Sequence, residues 1–334
     1  MIQTLAVRGY RSLREVLLGL GQLTVITGAN GTGKTNLYRA LALLAAAASG
    51  EMLRALAHTG GFQSVLWAGP EKLSADMKSG YHPVQLTVRQ KPVSLGLGFG
   101  TEELSYQIDL GPPARREPTA FVHDPEIKRE VIWAGPVLRP AATLIDRRRG
   151  QVRCLADSGW KDLPWTLGPG SSVLDELVDP QAFPEAAALR REVRQWRFYD
   201  GFRTDQDAPA RHPQAATFTP ALSSDGHDLA AAVQSIAESS AASEFAALID
   251  DAFPDTTVAT EELAGRLLVS ARQRGMLRPL LAPELSDGTL RYLMLAAALY
   301  AVRPPTLMVL NEPETSLHPD LLPPLARLIR SAAR

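Results

Sequence analysis

Cysteine is almost missing from this chain. Cys154 stands alone among 334 residues, so an internal disulfide cannot form and no pair sits at zinc-ligand spacing. That excludes an extracellular disulfide scaffold and a structural zinc site. Lysine is also scarce, six against 29 arginines, and charge of one sign is not in excess: the formal net charge is -1. The chain is therefore no polycation, and nucleic-acid binding would need a local patch. Arg147-Arg148-Arg149 and Arg190-Arg191 could form one, although each run alone also reads as solvated surface. A long hydrophobic run is lacking too. The most apolar stretch, residues 37–49, is shorter than a membrane span and carries Arg39. The opening "MIQTLAVRGYRSL" has no apolar core of a secretion signal. The expectation is a cytoplasmic protein without membrane contact. No internal repeat, coiled-coil heptad run or low-complexity segment is visible.

What is present suffices for a substantial core: 45% of the residues are hydrophobic, over a length that suits one large domain or two lobes. Strand-like runs at residues 2–7 and 23–27 precede a glycine turn and an alanine- and leucine-rich helix over about 34–48. From 84 to 137, the short alternating runs "VQLTV", "VSLGLGF", "LSYQIDL" and "EVIWA" are separated by glycine and proline. They read as an antiparallel meander, continued over 146–163. A proline-broken helical stretch follows, then a buried strand at 196–202 and a polar loop over 203–220. Two helices, "DLAAAVQSIAES" and "ASEFAALIDDAF", lead to the strand "RLLVSARQ". A glycine turn then opens a long apolar helix, followed by the strand "TLMVL" and a last helix from Pro319.

Two of these turns carry chemistry. "GANGTGKT", residues 28–35, matches G-x-x-x-x-G-K-[ST] between an expected strand and an expected helix. Glycines 28, 31 and 33 let the backbone wrap phosphate oxygens, so that the N–H groups of the loop and of the helix start point at negative charge. Lys34 adds a compact cation for the terminal phosphates, and the Thr35 hydroxyl suits magnesium. The second turn is "LSDGTLR", residues 285–291, where Ser286 and Gly288 open the apolar helix and form another anion-binding helix start. The strand ending in Asn311-Glu312 follows it. "LSSDG" at 222–226 imitates this turn but lacks the Thr-Leu-Arg and the long apolar helix, and reads as a turn and helix cap.

Together, "VRGYRSL", "GANGTGKTNL", "LSDGTLR" and "NEPETSLHP" resemble the soluble ABC-type P-loop ATPases of the RecF, SMC and OLD class, and most closely the bacterial predicted ATPases allied to them. The motifs lie toward both ends of the chain, about a quarter of it; the middle matches in its order of elements. The resemblance implies an α/β fold, an ABC-ATPase head with a P-loop sheet core, an antiparallel β meander and a helical signature lobe. It implies a nucleotide-binding lobe over 1–200 and a lobe with signature, Walker B strand and D-loop over 201–334. ATP and Mg2+ would be the cofactors. Asn30, Gly31, Thr32, Gly33, Lys34, Thr35 and Asn36 would cradle the nucleotide, with Arg11 near the phosphates or the partner's loop. Ser286 and Gly288 would touch the γ-phosphate from a second copy in a homodimer. Glu312 would polarise water, and Ser316 and His318 would lie in the loop linking the two sites. Locally, Ser286 also reads as a helix cap, His318 as an exposed turn residue and Arg11 as a surface cation. DNA, or a separate effector such as a nuclease or toxin, would receive the output; no membrane partner is implied, nor any nuclease centre within this chain.

Two departures from the pattern matter. Asn311 occupies a position usually held by aspartate. Its carbonyl can accept from a magnesium-bound water but brings no negative charge, so weaker magnesium binding is expected. Glu314 and Asp320 follow, but neither sits where a direct substitute is expected. Members of the class also continue beyond the helix at 319–333 into a strand ending in a threonine-histidine switch. The chain is therefore expected to be a fragment, the alternative being a site that binds ATP and hydrolyses it poorly. The glutamine that usually touches magnesium between the lobes is not assigned; Gln206 and Gln214 lie in the right loop.

Overall fold

The computed structural model describes residues 1–70, 81, 93–114, 121 and 123–333. They form two compact units, Met1–Gln195 and Trp196–Arg334, of a mixed α/β chain with a large antiparallel sheet.

In the first unit, β1 (Ile2–Tyr10) and β2 (Leu13–Gly19) make a hairpin. With β3 (Leu95–Thr101), β4 (Leu104–Gly111), β5 (Glu126–Ala134), β6 (Thr143–Arg148), β7 (Gln151–Ala156) and β8 (Gly159–Asp162) they build an eight-stranded sheet. Its order is β2-β1-β3-β4-β5-β6-β7-β8, and every pairing is antiparallel. The meander expected from alternating hydrophobicity is therefore present from β3 onward; "VQLTV" lies outside the described residues. Helix α1 (Lys34–Ala47) buries Leu37, Ala40, Leu41, Leu44 and Ala47, spaced three and four apart as an amphipathic helix requires. The helices α2 (Met52–His58), α3 (Phe62–Val65), α4 (Val173–Glu176) and α5 (Pro184–Arg194) complete the unit; the last two are the pieces of the proline-broken stretch.

A buried ion pair holds this unit together. Arg147 Nη1 lies 2.9 Å from Glu130 Oε2, and both side chains are fully buried. Glu130 also accepts from Tyr106 Oη, Ser172 Oγ and the Val173 amide, and Arg147 donates to the carbonyls of Gly168, Ser171 and Arg149. Each nitrogen of the guanidinium and both oxygens of the carboxylate thus have a hydrogen-bond partner, which ties the sheet to the start of α4. This corrects the reading of the arginine run as surface. Arg147 is interior, and Arg148 pairs with Asp146. Burial likewise pushes the Cys154 thiol up to about 11, with Glu185 adding to the effect, so it is a thiol rather than a thiolate at neutral pH.

The strand expected at 23–27 is not formed. Leu23, Val25 and Ile26 are 44%, 72% and 45% exposed, and the segment joins no ladder. Apolar and β-branched residues give a stretch its strand propensity, but a strand exists only where a neighbour accepts its hydrogen bonds. Within its unit the sheet already ends at β2.

The second unit is built around α8 (Asp287–Leu299), which is apolar on all sides and buried from Leu290 to Ala298. It packs with α6 (Leu229–Ala237), α7 (Ala242–Ala252) and α9 (Leu322–Ala332). A small sheet of β10 (Gln214–Ala215), β11 (Thr256–Leu263), β12 (Arg266–Gln273) and β13 (Leu280–Leu281) is centred on β12. The strand β11, "TTVATEEL", was hidden in the sequence by its acidic end. A separate parallel pair joins β9 (Arg197–Tyr199) and β14 (Met308–Leu310). Gln214 is buried, and its Oε1 accepts from the Ala230 amide at 2.6 Å; that engagement makes it a structural residue of the α6 start. The imitation turn at 222–226 precedes α6, as read. Among the described residues no helix is long and apolar enough to cross a membrane.

Candidate functional site

The candidate residues fall in both units. In the first, the glycine loop runs from Gly28 into α1. The N-cap of α1 is Gly33, in a left-handed conformation with φ 106°, and no side chain caps the helix. A Cβ there would lie 2.7 Å from Ser12 Oγ and 2.9 Å from Leu13 Cδ2. Glycine is thus needed both for the backbone angle and for the close approach. The hairpin turn at Arg11-Ser12 supports the loop, and Asn36 Nδ2 donates to Ser12 Oγ at 2.8 Å. The Thr32 hydroxyl donates to the Ala29 carbonyl at 2.8 Å. Lys34 Nζ curls over the loop and donates to the carbonyls of Gly28 and Ala29, at 2.6 and 3.1 Å. Among the described residues, the amides of Gly31, Gly33, Lys34 and Thr35 meet no protein acceptor, and no acidic residue stands in the first turn of α1. Unpaired amides, a helix start and one ammonium make an anion cradle.

Arg11 has φ 45° and is pinned by its own backbone, which donates to Val65 and accepts from Ala68. Its guanidinium sits 6.0 Å from the Tyr10 ring centroid and reaches the Thr59 carbonyl at 3.5 Å.

In the second unit, Ser286 is the N-cap of α8. Its Oγ accepts from the Thr289 amide at 3.1 Å and lies 2.8 Å from Thr289 Oγ1, so the local helix-cap reading of this serine is realised. Asp287 takes a 2.6 Å ion pair from Arg211. Arg211 is largely buried and also donates to the carbonyls of Ala282 and Leu285, at 2.9 and 2.8 Å, and of Thr204, at 2.9 Å. One guanidinium therefore fixes the whole approach to the turn, with the fork geometry that only arginine supplies. Its signature-side partners lie 71 to 76 residues away, and nothing in "PARHPQ" announces them.

The turn after β14 lies beside this helix start. A Cβ on Gly288 would sit 3.5 Å from the Ser316 carbonyl, and Arg291 Nη2 reaches the Glu312 carbonyl at 3.5 Å. Arg291 is buried, its Nε meets no acceptor among the described residues, and burial pushes its pKa down, with Glu314 opposing. Glu312 and Ser316 have φ 48° and 64°. With Arg11 they make three of the six non-glycine residues in the left-handed region among those described. Each such residue costs about 1–3 kcal/mol and persists where its surroundings over-determine it, which is typical of functional turns. His318 is exposed and caps the short turn Pro319–Leu321, its Nδ1 accepting from the Asp320 amide at 3.3 Å; here too the local reading of a turn residue is realised.

Asn311 follows β14 as Asp200 follows β9. Its amide donates to the Tyr199 carbonyl at 2.9 Å, and its side-chain Nδ2 donates to Asp200 Oδ1. The sequence reading missed Asp200, Arg211 and Ser12, whose partners are distant along the chain. Among the described residues no group of three or more His, Cys, Asp and Glu side chains could hold a metal by itself. Within the second unit, the Asn311 carbonyl and the Asp200 carboxylate are oxygen donors of the kind a hard cation takes while keeping much of its water.

A glycine loop with unpaired amides at a helix start and a lysine above it fits a phosphate-binding loop, and the family match supplies the class: a P-loop nucleotide-binding domain of the AAA type, for which ATPase activity is suggested. The chain belongs to the family described as "AAA domain, putative AbiEii toxin, Type IV TA system", whose model matches residues 23–128 and 171–334. No curated protein matches it.

Proposed function

We propose that this protein is an ATP-binding and ATP-hydrolysing switch of the RecF, SMC and OLD kind. Two copies close over nucleotide and reopen on hydrolysis, and the motion is delivered to DNA or to a separate effector. The observation that carries this reading is the pairing of chemistries within one chain. The uncapped start of α1 is an anion cradle, and the start of α8 lies against the turn holding Glu312 and Ser316. An isolated phosphate-binding loop has no use for the second arrangement.

In this reading, Lys34 and the loop amides bind the phosphates, while the Ser286 hydroxyl and the Gly288 amide reach the γ-phosphate of a nucleotide held by the partner copy. Glu312 orients the attacking water, its backbone fixed in the left-handed region beside Arg291. Thr35 and Asn311 would hold magnesium, whose chemistry there would be neutralisation of charge on the phosphates. Residues 1–200 and 201–334 then act as a nucleotide-binding lobe and a signature lobe. Phosphoryl transfer depends on positioning and electrostatic stabilisation, so a site completed by a second copy turns over only when that copy arrives.

Hydrolysis should rise more steeply than linearly with protein concentration, and Glu312→Gln should accumulate a dimer with ATP and magnesium. A rate strictly proportional to concentration would sink the shared site. The family description, with its toxin and antitoxin terms, favours a second reading: a nucleotide-gated module that restrains a separate nuclease or toxin. Glu312→Gln separates the two, because a switch driven by turnover loses its output in the trapped state and a module gated by binding keeps it.

A further inference from the structure

We infer that Asp200 supplies the negative charge that Asn311 lacks, and that the two side chains act as one split carboxylate site for a hydrated divalent cation bound with ATP. The inference rests on the nucleotide-binding reading above and deepens it. In the parallel pair, Tyr199 and Leu310 are in register, so Asp200 and Asn311 are the first residues beyond the two strands and emerge side by side. The carboxyl ends of neighbouring parallel strands are where open α/β folds place ligands.

The hydrogen bond between them decides what each oxygen can do. Asn311 Nδ2 donates to Asp200 Oδ1; the opposite amide orientation would set two acceptors against each other. The donation therefore leaves the amide oxygen of Asn311 as an acceptor, and it leaves Asp200 with Oδ2 and most of its lone pairs. Among the described residues no cation pairs with Asp200: neighbouring Arg203 is committed to Asp205, at 2.7 and 2.9 Å. The Asp200–Asn311 pair thus carries one negative charge, the amount a lone aspartate at position 311 would bring, spread over an amide-clamped pair and next to the Glu312 carboxylate. Two acceptor oxygens beside a net charge suit the waters of a magnesium-type ion, which gives up its hydration reluctantly and binds through few protein carboxylates.

The test measures Mn2+ affinity of the ATP complex by electron paramagnetic resonance, with the full chain. Binding of a fluorescent ATP analogue in EDTA serves as the metal-free control. Asp200→Asn should weaken Mn2+ by about ten- to a hundredfold while leaving metal-free nucleotide binding unchanged. The swapped pair Asp200→Asn with Asn311→Asp should recover most of the loss, because the charge returns to the same strand ends. Unchanged Mn2+ affinity in Asp200→Asn overturns the proposal, and so does a swapped pair as weak as the single variant. Should the wild-type chain bind no nucleotide even without metal, the nucleotide-binding reading fails and takes this proposal with it. Nucleotide binding with an indifferent Asp200 defeats the proposal alone.

Discussion

The two helix starts that the sequence marks as anion sites are prepared in opposite ways. At α1 the N-cap is a glycine, no side chain occupies the first amides, and the loop is held from outside by the hairpin turn at Ser12. At α8 the N-cap serine already satisfies one amide, and Asp287, in the first turn, is neutralised by Arg211. The first start keeps the amides of Gly31, Gly33, Lys34 and Thr35 open for a ligand that must bind by itself. The second has spent part of its electrostatic capacity on its own geometry, and so is better suited to complete a site than to found one. Stiffness is the benefit, since donors fixed in advance cost no reorganisation when charge arrives.

Breaking the locked side should have the largest effect. Arg211→Ala strips buried carbonyls of their donor and should cost about 2–4 kcal/mol of stability, read by denaturant titration; a loss below 1 kcal/mol would show that Arg211 does not hold this turn. On the open side, Lys34→Ala should leave the fold intact and weaken ATP by about ten- to a hundredfold, the worth of a charged hydrogen bond, as isothermal calorimetry would register. Ser286→Ala should cost about 1 kcal/mol, the usual value of a helix cap, with metal-free nucleotide binding unaffected. If ATP affinity in the monomer fell with it, the contrast between founding and completing starts would be wrong.

The smallest effect concerns pH. Arg278 and, after it, the Leu281 amide pull the Glu284 carboxyl down to about 2, against an ordinary 4.5. A depressed acid contributes stability that is complete above the ordinary value and is lost as pH falls through the shifted one. The clamp just ahead of the α8 turn should therefore weaken only between about 4.5 and 2, and Glu284→Gln should flatten that part of the stability profile. Carboxyl chemical shifts followed by NMR would show the midpoint directly.

Much of this molecule was legible in advance. The helices α1 and α8, the meander from β3 to β8, and both turns follow from spacing and glycine placement alone. The failures share one physical cause. Residues 23–27 have the apolar and β-branched composition of a strand but meet no neighbour in their own unit, and the propensity goes unused. Arg147 looked like one charge in a solvated run and is instead the buried centre of a network, because Glu130 and three carbonyls happen to surround it. Asp200 carried no motif at all.

The sequence by itself determined the local machinery: which backbone can wrap an anion, where a helix must begin, and which lysine, serine and glutamate stand at those places. These depend on interactions spanning a few residues, which a linear string records. Only the tertiary structure decided which charges are neutralised and by what. Arg211 reaches Asp287 across 76 residues, and Asp200 meets Asn311 across 111; electrostatic partnership depends on distance in space, and the chain order does not encode it.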